Sequence, residues 1–313
     1  MYTINVLIVT YKQEKLIGRA IESAIKQKDW GLKNIVIRDD CSPDNNWQVI
    51  QKYKDKYPDI IIAHQNEHNM GIYGNYFNVN NDRGEADLYY YLEGDDEIVD
   101  GWFEAVQHYL KDNMIDLTGN AAIICSDYKI IRPNGMSYTN RNNRLVRKKI
   151  NHLSLKSRTV VHNRSVLISS ATFNRFEPLL YNQGLAIAEE MNTTQPYHHS
   201  DYFYYVPFIA SIYYTHIGIS TRLNSDDYFQ DRIKSYNWMK GYYSLDKKAR
   251  LYKDFQIAQC EFQITPSWKN YFYMRKLFWK SFDRYTLYGA RFMLETLSWS
   301  RMVKLLICGK KNK

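Results

Sequence analysis

Leu88-Tyr89-Tyr90-Tyr91-Leu92 runs straight into Glu93-Gly94-Asp95-Asp96. The first five residues are apolar or aromatic, a run of strand type, and the next four hold three carboxylates. A strand is a rigid platform, and the turn at its end can hold a site steady. Carboxylates this close repel and raise one another's pKa unless a cation shares them. A dense set of oxygen ligands suits Mg²⁺ or Mn²⁺ better than zinc. The bland alternative is a solvated acidic turn that caps the next helix.

The residues on either side decide between the two. Ile4 to Val9 is a continuous apolar run, as in a strand buried on both faces. Leu16, Ile17, Ala20, Ile21, Ala24 and Ile25 then recur at helical spacing. Ile35-Val36-Ile37 reads as a second strand ending at Asp39-Asp40, and a helix with Trp47, Ile50, Tyr53 and Tyr57 on one face follows. Ile60 to Ala63 is a third strand, and a helical stretch around Gly74 to Asn80 leads to the Leu88 strand. This alternation gives a parallel sheet with right-handed crossovers. In open sheets of that kind ligands sit beyond the carboxyl ends of the strands. Thr10-Tyr11, Asp39-Asp40 and Asp95-Asp96 all fall there, so three strand ends point to one site.

The chain has 313 residues and is 45% hydrophobic, enough for one large core with an appendage. Cys41, Cys125, Cys260 and Cys308 lack metal-ligand spacing and read as reduced thiols of a cytoplasmic protein. Met1 to Val9 reads as a first strand, with no basic leader and no cleavage site. The net charge is +9, and residues 241–313 carry fifteen Lys and Arg against five Asp and Glu. One end is therefore basic and the remainder close to neutral. His64 and His68 are four apart but lack the zinc-protease pattern, and no nucleic-acid-binding module accompanies the basic region, so nucleic acid is not an expected partner.

The residues resemble the family 2 glycosyltransferases, inverting nucleotide-sugar enzymes of GT-A fold. Val6 to Lys12 matches the opening strand and its Thr-Tyr. Ser23 to Gln27 matches the helix end Ser-x-x-x-Gln, and Ile37 to Asp44 matches the Asp-Asp motif with Cys41 in place of Gly. Asn69-Met70-Gly71 with Asn75, and Leu92 to Asp96, match two further motifs; Glu93 and Gly94 replace Asp and Ala. The likeness runs over residues 4 to about 130.

The resemblance implies an α/β fold with a Rossmann-like, mostly parallel sheet flanked by helices and a helical C-terminal extension. It implies sugar transfer from a nucleotide-sugar, expected to be a UDP-sugar, with Mn²⁺ or Mg²⁺ assisting. Asp96 and Asp95 are the implied metal ligands. Val9, Tyr11, Asp40, Asp95 and Arg222 are the implied donor-binding residues, Asp40 meeting the base and Arg222 the diphosphate. Asp40 as a helix-start residue and Tyr11 as core are the milder readings. The implied general base is an Asp heading a late helix. Asp201, in His199-Ser200-Asp201-Tyr202-Phe203, takes that place ahead of a helix over Tyr204 to Ile209 and a strand over Ile212 to Ile219; a plain N-cap is its milder reading.

The expected domains are 1–228, with a nucleotide-binding half 1–130 and an acceptor half 131–228, and a basic aromatic helical region 229–313. The expected acceptor is a saccharide or lipid-linked saccharide used in cell-surface polysaccharide synthesis. Aromatic bodies and cationic heads over 241–313 suit a membrane–water interface, which would place the protein peripherally at the inner face of the cytoplasmic membrane; a soluble helical appendage is the alternative. A nucleotidyltransferase of similar sheet, or a sugar-nucleotide binder without catalysis, would share much of this pattern.

Overall fold

β1 (Ile4–Thr10), β2 (Leu32–Asp39), β3 (Ile61–Gln65) and β4 (Leu88–Glu93) form the parallel half of a nine-stranded sheet. The structure is a computed structural model that describes residues 1–141, 163–175, 199–215, 217, 226–242, 245 and 247–281. The crossovers run through α1 (Ile17–Ile25), α2 (Asn46–Lys56) and α3 (Gly71–Asn81). The strand order is β3-β2-β1-β4-β8-β6-β9-β5, with β7 (Ser137–Asn140) paired to β6. β5 (Glu97–Ile98) and α4 (Trp102–Asp112) follow β4, and β6 covers Ala122–Ile131. β8 (Val166–Ser169) is antiparallel to both β4 and β6, and α5 (Ser170–Asn174) follows it.

Alternation along the strands explains the layers. Ile4, Val6, Ile8, Leu88, Tyr90 and Leu92 join Ile17, Ala20, Ile21, Ala24, Trp102, Phe103 and Val106 in one buried cluster. Successive strand side chains point to opposite faces, so Tyr89 and Tyr91 lie on the other side. There Tyr91 packs edge-on against Tyr76 of α3, its ring centroid 5.2 Å away. Both faces are covered, which is why β1 and β4 read as unbroken apolar runs. Trp102 sits edge-on to Tyr90 at 4.8 Å and donates from its indole to Ser126 at 3.0 Å, so its polar atom is satisfied in the core.

β9 (Tyr202–Tyr214) corrects the sequence reading. The helix expected over Tyr204 to Ile209 is part of one strand, parallel to β6 from Tyr202 opposite Ala122 to Tyr214 opposite Ile131. Proline has no N–H for a ladder. The register shifts between Tyr205 and Ile209, so Pro207 falls in a bulge where no ladder bond is required of it.

The described chain divides into two compact units, 1–149 with 161–221 and 150–160 with 222–313. In the second unit α6 (Asp226–Tyr242), α7 (Lys247–Ile264) and α8 (Trp268–Ser281) are the described helices. Position 228, where the sequence reading divides the chain, lies inside α6. Phe255, Ala258 and Phe262 of α7 pack with Tyr271, Met274, Leu277 and Phe278 of α8. No described helix is long and apolar enough to cross a membrane.

Candidate active site

The ends of β1 and β2 are fastened to each other by polar side chains. Asp39 accepts from Ser42 N at 3.1 Å, Ser42 Oγ at 2.5 Å, Asn46 Nδ2 at 2.6 Å and Gln65 Nε2 at 2.8 Å. All its capacity goes into shaping the turn, so Asp39 is a framework residue. Asp40 is different. Asn66 Nδ2 at 2.8 Å and Met70 N at 2.7 Å both donate to its Oδ1, which leaves Oδ2 for a ligand. Asn75 donates to the carbonyls of Thr10 and Arg38 and accepts from Asn66, so it ties β1 to β2 beside Asp40. Tyr11, just past β1, is half-buried with the Lys12 ammonium 5.0 Å from its ring centre.

The acidic stretch lies at the neighbouring strand end. Gly94 N donates to Val9 O at 3.0 Å and Asp96 N to Glu93 O at 2.9 Å, which folds the chain back sharply after β4. A side chain at position 94 would come 2.4 Å from Gln13 Oε1 and 2.8 Å from Thr10 Oγ1. The hydrogen bond between Thr10 and Gln13 fills that space, so glycine is required where the resembled family has alanine. Asp95 and Asp96 are buried, and Glu93 is half-buried. Their carboxylates, with that of Glu93, lie within 4.8 Å of one another.

Arg164 stands among these acids. It lies within the 3-10 turn Asn163–Ser165 that leads into β8 and donates through Nε to Asp96 Oδ2 at 3.2 Å. Its other arm, Nη2, reaches Glu93 Oε2 at 3.0 Å. Tyr214 N, at the end of β9, donates to Asp96 Oδ1 at 3.3 Å. Arg19 donates to the Asp95 carbonyl and lies 3.9 Å from the Tyr214 ring centre. Burial pushes the Asp95 carboxyl up to about 7, helped by the charge on Glu93. Burial also holds Asp96 well above the ordinary carboxylate range, against the pull of Arg164. Three crowded carboxylates, two of them bonded to one guanidinium, retain excess negative charge, the condition that a divalent cation relieves. An all-oxygen donor set of this kind fits Mn²⁺ or Mg²⁺.

Val9, Tyr11, Asp40, Asp95 and Asp96 therefore lie together at the carboxyl ends of adjacent strands. Asp201 does not join them. It precedes β9 at the edge where Ala122 pairs with Tyr202, and its carboxylate meets Arg175 at 2.6 Å. The other end of β9 touches Asp96, and between its two ends β9 runs alongside Ala122 to Ile131, about 30 Å at roughly 3.3 Å per residue. The structure thus sets Asp201, the expected general base, at the opposite end of the strands from the acidic cluster. Arg222 lies outside the described residues. The sequence reading missed Arg164, Arg19 and Tyr214; none sits in a motif, Arg19 comes from α1, and only the sheet order β4-β8-β6-β9 brings Arg164 and Tyr214 to the same strand ends.

The sequence model described as glycosyl transferase family 2 matches residues 5–179. A cholesterol galactosyltransferase of Borreliella burgdorferi is 27% identical over 135 residues, 41% of this chain and 33% of that protein. The poly(ribitol-phosphate) beta-N-acetylglucosaminyltransferase TarS of Staphylococcus aureus is 31% identical over 99 residues, 31% of this chain and 17% of its own length. The chain thus spans a third or less of the curated relatives it matches. The structure of TarS 1–349 in complex with UDP-GlcNAc aligns with a TM-score of 0.57 at 15% identity, covering 97% of this chain and 86% of that one. The mannosyltransferase PcManGT of Pyrobaculum calidifontis, solved with GDP-Man and Mn²⁺, aligns with a TM-score of 0.58 at 11% identity, covering 99% and 88%. The fold is that of the GT-A glycosyltransferases.

Proposed function

The chain belongs to glycosyl transferase family 2, and on that membership we propose that it moves a sugar from a nucleotide-sugar, in the first instance a UDP-sugar, to a hydroxyl of a saccharide or lipid-linked saccharide. The observation that carries the proposal is the cluster Glu93, Asp95 and Asp96 beside Asp40 at neighbouring strand ends. Asp40 offers its Oδ2 to the N–H of a uracil ring, while Asn66 and Met70 N fix the carboxylate from the other side. Tyr11 supplies a flat face for the base. Asp96 and Asp95 are the proposed ligands of Mn²⁺ or Mg²⁺. A bound ion of this kind would neutralise charge that develops on the departing diphosphate. Transfer with inversion calls for a general base at the acceptor hydroxyl, and Asp201 is not offered for it.

The proposed role in cell-surface polysaccharide synthesis rests on the acceptor class. The same reading gives the 241–313 region a peripheral contact with the cytoplasmic membrane. α8 supports it: Trp268, Phe272, Tyr273 and Trp279 are exposed on a helix that holds Lys269, Arg275, Lys276 and Lys280 and no acidic residue.

The test is turnover of a panel of nucleotide-sugars with saccharide acceptors in Mn²⁺, with the product anomer read by NMR. The expected result is transfer from one donor with inverted configuration, and a loss of about 100-fold or more in kcat for Asp96→Asn. Undiminished turnover in Asp96→Asn, or no transfer from any nucleotide-sugar, would count against the reading.

A further inference from the structure

Arg164 is held more firmly than a surface arginine. Tyr90 Oη donates to its carbonyl at 2.8 Å, and Ser211 Oγ donates to the same oxygen. Its guanidinium lies 3.9 Å from the ring centre of Tyr213, and the side chain is only 12% exposed. The fork then divides, Nε to Asp96 at 3.2 Å and Nη2 to Glu93 at 3.0 Å. The guanidinium thus uses an oxygen of Asp96 that a divalent ion would also require. Glu93 is the most exposed of the three acids, 34% against 2% for Asp96, and stands on the outer arm of the fork.

We propose that Arg164 is a built-in counter-ion of the cluster, that it competes with the divalent ion for Asp96, and that Glu93 is the anchor of that arginine and not a metal ligand. This rests on the proposal that the cluster takes a divalent ion. Arginine keeps its charge at any working pH, so the competition is permanent when no donor is bound. A nucleotide diphosphate offers the guanidinium a second anionic partner, matched to its fork. Metal and nucleotide then favour each other's binding, because each relieves the contact that opposes the other. Arg164 acts as a positioning residue in this scheme.

The experiment is Mn²⁺ titration followed by electron paramagnetic resonance, with and without UDP, on the full chain and on Arg164→Gln, Arg164→Lys and Glu93→Gln. Without UDP, Arg164→Gln should bind Mn²⁺ about tenfold more tightly than the parent, the scale of one charge-assisted contact. With saturating UDP that gain should vanish, since the guanidinium has left Asp96. Glu93→Gln should alter Mn²⁺ affinity by no more than about threefold, as expected of an anchor whose loss also loosens the competitor. Arg164→Lys keeps the charge without the fork and should lie between the parent and Arg164→Gln; it serves if the glutamine variant fails to fold. A tenfold loss in Glu93→Gln would make Glu93 a ligand and overturn the proposal. So would an Arg164→Gln affinity that is unchanged, or a gain equal with and without UDP. If neither parent nor any variant binds Mn²⁺, the metal reading falls and this proposal with it, a result distinct from the others.

Discussion

Gly94 shows how one residue shapes the site. Its missing side chain lets the turn after β4 press against Thr10 and Gln13, whose hydrogen bond measures 2.7 Å. Gly94→Ala is expected to push Asp95 and Asp96 away from Val9 and to lower Mn²⁺-dependent turnover by about tenfold or more, because a shift of about 1 Å in a positioned group is costly. Steady-state kinetics at saturating donor would show it. Asp201 makes the opposite prediction. It pairs with Arg175, both side chains about half exposed, at the far edge of the sheet. Asp201→Asn should leave kcat within about threefold of the parent, as exposed ion pairs contribute little. A loss of several hundredfold would restore it as the base. The acids at 93 to 96 were legible because adjacency in sequence put them on one turn. Arg164 was not, because its bond to Glu93 spans 71 positions and depends on which strands pair.

At the scale of elements, β1 to β4 were readable because burial on both faces leaves an unbroken apolar signature. β9 was not. Its aromatic, β-branched composition speaks for a strand, but Asp201 imitates a helix N-cap, and Pro207 fits the strand only through the bulge opposite β6. α8 carries the prediction at this scale. Trp268, Phe272 and Trp279 are 45%, 59% and 60% exposed, so their replacement by serine should leave the fold intact. The triple serine variant should lose about tenfold or more in partitioning onto vesicles of anionic lipid, judged by sedimentation, with little change on neutral vesicles. Equal partitioning of both forms would contradict the membrane contact. Loss of a dimer in the variant, seen by light scattering, would assign the face to a second copy of the chain.

At the scale of the whole molecule one compact unit holds the acidic cluster, and residues 241–313, which carry the excess of Lys and Arg, fall in the other. Composition could not show what the second unit tolerates inside. Lys253 of α7 is buried beside Tyr236 and Arg232 of α6 and bonds to Gln256 at 3.0 Å. Burial, aided by Arg232, brings its ammonium down to about 7. The unfolded chain, with lysine near 10.5, therefore binds more protons between those values, and stability rises with pH across that window. Below about pH 7 the cost of the buried charge is fully present. Lys253→Met should raise the melting temperature by about 3 °C or more near pH 6, and the gain should fade towards pH 10. A gain that is constant with pH would place the effect in packing alone.

In the proposed complex the turn after β4 holds the ion that meets the donor's diphosphate while Asp40 holds its base. Calorimetric titration of UDP with and without Mn²⁺, on the parent, Asp96→Asn and Asp40→Ala, tests it most directly. Mn²⁺ should tighten UDP binding about tenfold or more in the parent, Asp96→Asn should abolish this gain, and Asp40→Ala should weaken binding in both conditions. UDP affinity indifferent to Mn²⁺ in the parent, or a gain that survives in Asp96→Asn, would contradict it.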